Sequence, residues 1–139
     1  MDIDTSIQAV RDLLFANERI SAALLFGSAA KGMARASSDL DVAVIARADA
    51  DAAALEAEYL DLVARLSLAA GRDVHLILLE RAEPVLGRQV LLGGRTLFDR
   101  EPRRKAAIFE RLTLEYFDGE FHRRMRDEAL ERRREARRG

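Results

Sequence analysis

Two spacings of apolar residues alternate along this chain, and they predict helices and strands in turn. After Asp4-Thr5, which can cap a helix, four apolar residues recur at helical spacing. These are Ile7, Val10, Leu13 and Leu14. Three short, predominantly apolar runs, each with one polar residue, predict buried strands over residues 20–26, 40–46 and 74–79.

Helices are predicted between and after these strands. Residues 51–69 are rich in Ala, Leu and Glu, and Gly71 follows them as a C-cap. Residues 83–92 predict a shorter helix with Pro84 near its start, where proline is tolerated, and two glycines then break it.

The last two predicted elements are a short edge strand at 96–98 and a helix from residue 102 to the end. That helix has six apolar positions that we expect to contribute to packing: Ile108, Phe109, Leu112, Leu114, Tyr116 and Phe117. Alternation of helices and strands implies α/β layering.

The composition agrees with one small domain. The chain has 139 residues, near the commonest domain size, and 49% of them are hydrophobic. Charged residues make up 34%, yet the net charge is only -1. A general electrostatic attraction to nucleic acid or to a membrane is therefore not indicated.

The absence of cysteine excludes disulfides and thiolate metal sites, and it is compatible with a reducing cytoplasm. The N-terminus lacks the basic flank and apolar core of a signal peptide. No apolar run approaches the ~20 residues that span a bilayer. We therefore expect a cytoplasmic protein.

Two carboxylates open the second predicted strand. Asp39 and Asp41 are two residues apart, so on a strand they point the same way and repel each other. A hard cation such as Mg²⁺ relieves that repulsion, and Mg²⁺ is commonly held by one or two carboxylates plus substrate phosphates. The alternative is a solvated pair of loop acids.

Gly27-Ser28 follows the first predicted strand and supplies a second half to this site. A glycine lets backbone approach a ligand closely, and Ser28 can cap the following turn. Backbone N–H groups at a helix start attract phosphate. A phosphate cradle facing a metal-binding acid pair predicts phosphoryl or nucleotidyl transfer.

Gly27-Ser28, a gap of ten residues and Asp39-x-Asp41 resemble the signature of the DNA-polymerase-β-like nucleotidyltransferase superfamily. The small size is similar to that of its minimal, MNT-type members, which are commonly antitoxins paired with a HEPN-domain toxin. One departure is Lys31, where many relatives have arginine. Lysine meets a phosphate as a point charge and not bidentately.

This resemblance implies a fold. The class would be α/β (α+β), a minimal nucleotidyltransferase fold with a small mixed sheet flanked by helices and a long C-terminal helix. Residues 1–100 would be the nucleotidyltransferase core. Residues 101–139 would be a helical extension belonging to the same domain.

The resemblance also implies roles at the site. Asp39 and Asp41 would hold two Mg²⁺ ions, with Asp73 completing the metal site as a third catalytic carboxylate and taking the proton of the attacking hydroxyl. Gly27, Ser28 and Lys31 would bind the triphosphate of ATP.

Simpler interpretations of these residues stay open. Asp73 could be only a polar residue at a strand edge, Ser28 only a helix cap, and Lys31 a solvated surface lysine.

Other residues have weaker signals. His75 alternates with Asp73 and so shares its face, although a strand histidine is more often structural. His122 reads as a surface residue. The arginine-rich segment 123–138 has interleaved acids, which favours an exposed helix or a frayed tail over a nucleic-acid contact. It could instead dock an acidic partner.

The chain has little room for a second domain that would bind an acceptor, which indicates a protein acceptor. By resemblance, we expect an Mg²⁺-dependent adenylyltransferase antitoxin that transfers AMP from ATP to a tyrosine of a partner HEPN RNase toxin and neutralises it. Two alternatives stay open. One is a small-molecule nucleotidyltransferase of the aminoglycoside type that needs a partner subunit, and the other is a non-catalytic binding antitoxin.

Overall fold

A computed structural model describes residues 1–35 and 38–138 and contains six α-helices and four strands within them. In chain order these are α1 Ile3–Phe15, β1 Ile20–Phe26, α2 Gly27–Ala30, β2 Leu40–Ala46, α3 Asp49–Ala57, α4 Tyr59–Ala70, β3 Val74–Leu78, a 3₁₀ turn Leu79–Arg81, α5 Pro84–Gly93, β4 Arg95–Asp99 and α6 Pro102–Arg138. Within these described ranges, no helix combines the length and the apolarity that crossing a bilayer requires.

The four strands form one mixed sheet in the order β3-β2-β1-β4. β1 pairs antiparallel with both β2 and β4, whereas β2 pairs parallel with β3. The mixed sheet, the flanking helices and the long last helix confirm the expected fold class. The predicted edge strand at 96–98 is β4, which lies at one edge of the sheet.

The sheet separates two apolar cores, because successive strand residues point to opposite faces. In β2, Val42 and Val44 face the core under α1, α3 and α4, while Ala43 and Ile45 face the core under α5 and α6. Both faces of the central strands are thus covered, which explains why β1 and β2 appear in the sequence as predominantly apolar runs and not as alternating apolar and polar residues.

The structure corrects two predicted helix boundaries. The cap of α1 is Asp2, whose carboxylate accepts a hydrogen bond from the Thr5 backbone N–H at 2.8 Å, so Asp4-Thr5 lies inside the helix. The single helix expected over 51–69 is two helices, α3 and α4, which meet at Glu58. The break lets α3 pack on β2 while α4 packs on α1 and β3.

Other boundary signals are confirmed. Gly71 ends α4 in the left-handed conformation, with φ of 65°, and Pro84 begins α5. The third strand stops at Leu78, one residue earlier than expected, because Leu79 begins the 3₁₀ turn.

The last helix extends far beyond the two cores. Of the six apolar positions expected to pack, only Ile108 and Leu112 are buried, and Leu114 and Phe117 are exposed. The prediction that all six contribute to packing is therefore wrong for these two exposed residues. The physical reason is the face of the helix: at 3.6 residues per turn, Leu114 and Phe117 fall on the side of α6 away from buried Ile108 and Leu112.

A buried ion pair attaches the start of α6 to the sheet. The side chain of Glu80 is fully buried, and its Oε2 accepts from Arg104 Nη2 at 3.0 Å and from the Ala46 backbone N–H at 2.8 Å. Arg104 also donates to the Ala46 carbonyl at 3.1 Å and to Asp49 at 3.1 Å. These bonds join the 3₁₀ turn, the end of β2 and α6.

Asp49 at the surface of this network also accepts from Arg111 at 3.3 Å. Hydrogen bonds from Arg104 and Arg111 lower the pKa of Asp49 below its usual 3.8. Partial burial lowers the pKa of Arg104, but its hydrogen bonds to Asp49 and Glu80 outweigh that effect and raise it. Because the pKa of Asp49 is lower in the folded than in the unfolded state, its contribution to folding stability is fully present above the unfolded-state pKa. That contribution is lost as the pH falls through the folded-state pKa.

We expect Glu80→Ala to reduce the free energy of unfolding by about 3–5 kcal/mol, because it removes the buried partner of Arg104. The matched control is Glu56→Ala, which breaks the exposed Glu56–Arg81 pair at 2.6 Å. That loss should not exceed about 1 kcal/mol. Urea denaturation measures both, and equal losses would contradict a stabilising role for the buried pair.

Candidate active site

The candidate site lies where β1 ends and β2 begins. In the antiparallel pairing of these strands, Phe26 is opposite Asp41. Asp41 is the first acidic residue within β2, and its side chain is 30% exposed. Asp39 directly precedes β2 and is exposed. Asp41 projects from the face of the sheet that α5 and α6 cover, since Ala43 and Ile45 share its alternation.

Gly27 lies against the carboxylate of Asp41. Its φ is +68°, and a Cβ at this position would overlap Asp41 Oδ2. Any side chain at position 27 would therefore displace the carboxylate, and an L-residue would also be strained by the positive φ. The glycine of the motif is required by its neighbour across the sheet, which the sequence spacing alone does not reveal.

His75 lies on the other side of Asp41. The parallel pairing of β2 with β3 places Asp41 opposite His75, and His75 Nδ1 is 3.3 Å from Asp41 Oδ1. The imidazole is 66% exposed. Sequence reasoning recognised that His75 shares a face with Asp73 but treated it as structural.

Asp73 immediately precedes β3, and its backbone carbonyl accepts from the Leu40 N–H at 3.0 Å. Its exposed side chain lies two residues before His75 along the chain. Within residues 1–35 and 38–138, no three carboxylate, imidazole or thiol groups converge closely enough to hold a metal ion. The structure thus brings Asp41 and His75 together, and the metal-binding roles of Asp39, Asp41 and Asp73 stay predictions.

The other motif residues lie around the short helix α2. Ser28 is inside its first turn, and the N-cap position is Phe26 without a side-chain hydrogen bond, so the predicted capping role of Ser28 is not observed. Lys31 follows α2 and is exposed. Ala36 and Ser37 of the motif segment lie outside the described residues.

A cavity of about 490 Å³ adjoins Gly27. The β1–α2 side contributes Phe26, Gly27, Ala30 and Lys31, and the α5 side contributes Leu86, Gln89, Val90, Gly93 and Gly94. This volume is within the range of small-molecule sites. The contribution of α5 had no sequence signal, because its lining residues form no recognisable motif.

Arg72 is a positioning residue that the sequence analysis overlooked. Its guanidinium donates to the backbone carbonyls of Arg35 at 3.2 Å and Ser38 at 3.1 Å. It also donates to Ser6 Oγ at 3.1 Å and to the Met1 carbonyl at 3.0 Å. These bonds attach the backbone just before Asp39 to the start of α1. The guanidinium of arginine, which is planar and has five donors, suits this role.

Comparison with known protein families identifies the family to which this chain belongs. The family model described as polymerase beta, nucleotidyltransferase matches residues 8–103. The chain belongs to this nucleotidyltransferase family. The matched span includes the sheet, Gly27, Asp41 and the cavity beside them.

Solved structures share the nucleotidyltransferase fold of this chain. A toxin-antitoxin structure with AMP-PNP has a TM-score of 0.68 and 23% identity, covering 89% of this chain and 97% of the other. The toxin-antitoxin MntA-HepT has a TM-score of 0.65 and 23% identity, and the match covers 91% of this chain and 97% of the other. A structure of a tri-AMPylated Shewanella oneidensis HEPN toxin in complex with MNT antitoxin has a TM-score of 0.60 and 20% identity. This match covers 89% of this chain and 98% of the other. No curated protein matches the sequence.

We expect Gly27→Ala to disrupt the site of this nucleotidyltransferase far more than Gly32→Ala does. Both glycines have φ of +68°, but a Cβ on Gly32 would meet nothing within 4 Å. Each variant should lose about 1–2 kcal/mol of stability from backbone strain. Only Gly27→Ala should displace Asp41, lose further stability and weaken nucleoside triphosphate binding, by tenfold or more.

Urea denaturation and titration with a fluorescent ATP analogue measure the two effects. Equal nucleotide affinities for Gly27→Ala and Gly32→Ala would show that the contact between Gly27 and Asp41 does not shape the binding site.

Proposed function

We propose that this nucleotidyltransferase is an antitoxin that transfers AMP from ATP to a tyrosine of a partner HEPN RNase toxin. The observation that carries the proposal is the contact of Gly27 with Asp41 beside a cavity of nucleotide size. The fold similarity supports it, because one related structure contains AMP-PNP and another contains an AMPylated HEPN toxin with MNT antitoxin. A cytoplasmic location is part of the proposal.

Asp39 and Asp41 would hold Mg²⁺, and Asp73 would add a third carboxylate. The fit rests on donor chemistry, because carboxylate oxygens suit this cation and the lack of a side chain at Gly27 leaves space beside Asp41 Oδ2 that a Cβ would fill. When bound, the ions would neutralise charge that develops on the α-phosphate and on the leaving pyrophosphate.

The remaining motif residues would orient the nucleotide. Gly27 and Lys31 line the cavity, and Ser28 lies between them in α2. The attacking tyrosine oxygen forms a bond to the α-phosphorus as the bond to the β-phosphate oxygen breaks. Asp73 would accept the tyrosine proton, and pyrophosphate would leave.

The toxin would dock on α6, which we propose as a helical extension of the nucleotidyltransferase domain. Four exposed apolar residues follow one another on α6 at spacings of three, four and four, so they share one face of the helix. We call Leu114, Phe117, Phe121 and Met125 the apolar stripe. An aromatic-rich stripe rimmed by charged residues is typical of a protein interface.

AMP on the toxin tyrosine adds bulk and negative charge. Both would hinder RNA, which is itself an anion, from entering the RNase site. Neutralisation would therefore persist after the antitoxin dissociates.

We expect Asp39→Asn with Asp41→Asn to abolish transfer and to leave the fold intact. The test adds ATP labelled at its α-phosphate and Mg²⁺ to host lysate with the wild-type chain or the double variant. A labelled protein band should appear only with the wild type, and mass spectrometry of that band should locate AMP on a tyrosine. The matched control is Glu56→Gln with Asp61→Asn, which removes two exposed carboxylates from α3 and α4 and should retain full labelling.

Each other outcome contradicts a stated part of the proposal. Label retained by the Asp39 and Asp41 variant would exclude these residues as metal ligands. Label in a small molecule would favour an aminoglycoside-type enzyme. No metal-dependent label in lysate that contains the partner would favour a non-catalytic binding antitoxin.

We expect Phe117→Ser with Phe121→Ser to weaken toxin binding by tenfold or more, because the pair lies at the centre of the apolar stripe. Deleting residues 123–139 should likewise weaken toxin binding more than nucleotide binding. Titration with purified toxin and with an ATP analogue compares the two.

The matched control is Leu60→Ser with Leu68→Ser on α4. These leucines are 81% and 85% exposed, compared with 58% for each of the two phenylalanines. Their loss should leave toxin affinity unchanged within twofold. If both double variants weakened toxin binding equally, the interface would not be specific to α6.

A further inference from the structure

The cavity beside Gly27 has two walls of different chemistry, and the proposed mechanism uses only one of them. On the wall that β1 and α2 form, Gly27 lies against the Asp41 carboxylate and Lys31 adds a positive charge. Among the residues that the structure describes, Lys31 is the one charged side chain that lines the cavity. An anionic triphosphate fits this wall, so the wall that α5 forms is left for another part of the ligand.

The wall formed by α5 is mainly apolar. Leu86, Gln89, Val90 and Gly93 follow one another at spacings of three, one and three residues, so they share one face of the helix. Leu86 and Val90 supply the apolar surface. Gln89 is exposed, and its amide is the one uncharged polar side chain that the described residues contribute to the cavity. A ligand on this wall would therefore meet apolar surface and one amide.

Packing fixes the position of α5 against the site. Val90 is buried in the core under α5 and α6. Gly94 approaches β1 so closely that a Cβ would lie 2.9 Å from the Leu25 carbonyl oxygen. Towards α6, a Cβ on Gly87 would lie 2.7 Å from Leu112 Cδ1. Because α5 is held between β1 and α6, the side chains on its cavity face project from a rigid element.

An apolar surface with one amide has the chemistry that recognises a nucleobase. A base has two faces that stack on apolar or aromatic groups and an edge of hydrogen-bond donors and acceptors. Adenine has its amino donor next to a ring-nitrogen acceptor. A glutamine amide, which has one carbonyl acceptor and an NH₂ donor, can bond both at once.

We propose that α5 binds the adenine base of ATP and that Gln89 hydrogen-bonds the amino group and the adjacent ring nitrogen of that base. The inference rests on the proposed transfer of AMP from ATP and adds the residue that selects the base. Leu86 and Val90 cover one face of the ring, while the triphosphate lies along Gly27 and Lys31. A cavity of about 490 Å³ has room for both parts of the nucleotide.

Ligand affinities separate the two walls. The full chain is titrated, with Mg²⁺ present, with ATP, with purine riboside triphosphate, which lacks the amino group, and with inorganic tripolyphosphate. We expect the wild type to bind ATP at least about fivefold more tightly than purine riboside triphosphate. Gln89→Met keeps the length of the side chain but lacks the amide. It should bind the two nucleotides equally and retain its tripolyphosphate affinity within about twofold.

The matched control is Gln8→Met on α1, which packs on the opposite face of the sheet from α5. Gln8 is exposed, and its amide donates to Asp12 at 2.8 Å, so the control removes the same chemical group away from the cavity. It should keep the preference for ATP. If Gln89→Met folds normally and keeps that preference, or loses tripolyphosphate affinity as much as ATP affinity, the assignment is overturned.

A photolabel locates the base in the wild-type protein and so does not depend on how a variant folds. The reactive group of 2-azido-ATP is on the base, and trypsin, which cleaves after arginine, releases α5 as peptides 82–88 and 89–95. We expect label on these two peptides and its loss when excess ATP competes. Label confined to other peptides would overturn the proposal.

Failure of this inference is distinguishable from failure of the proposed function. If the chain transfers AMP to a protein but binds ATP and purine riboside triphosphate equally, only the role of Gln89 fails. If the preference for ATP depends on Gln89 but no protein is labelled with AMP, the base site stands and the proposed transfer fails.

Discussion

The pairing of β2 with its two neighbours brings Gly27 and His75 of the candidate site to the carboxylate of Asp41. Antiparallel pairing with β1 sets Phe26 opposite Asp41, which brings Gly27 against the carboxylate. Parallel pairing with β3 sets His75 against the same carboxylate from the other side. A slip of one residue in either pairing would turn the side chains to the opposite face of the sheet. The site therefore depends on the same hydrogen bonds and buried apolar residues that hold the sheet together.

Much of this arrangement could be predicted because local physics dominates it. β1 and β2 match their predicted bounds, since both faces of each strand are largely buried and the sequence shows predominantly apolar runs. Gly71 and Pro84 mark helix boundaries because their backbone preferences act locally. The spacing between Gly27 and Asp41 was also sufficient to indicate the nucleotidyltransferase family, which the family match confirms.

What could not be predicted depends on contacts between distant segments. The proximity of His75 to Asp41 follows from strand order and register, which alternation along one strand does not fix. The hold of Arg72 on Ser38 joins residues 34 positions apart. The break at Glu58 is not caused by a helix-breaking residue. It arises because α3 packs on β2 whereas α4 packs on α1 and β3. Likewise, the spacing of apolar residues on α6 predicts that they share one face of the helix. It does not predict whether another part of this chain covers that face.

The projecting part of α6 has a consequence for its backbone amides. Beyond the cores, this part has within-helix ion pairs such as Arg123–Glu120, Arg132–Glu128 and Arg134–Glu131. Each exposed pair contributes only about 0.3–0.5 kcal/mol, and an isolated helix of this kind is marginal in water. Its hydrogen bonds would open often, so its amide protons would exchange with solvent far faster than those of β1. A partner bound along the helix would slow that exchange, so the exchange rate of these amide protons would report whether the partner is bound.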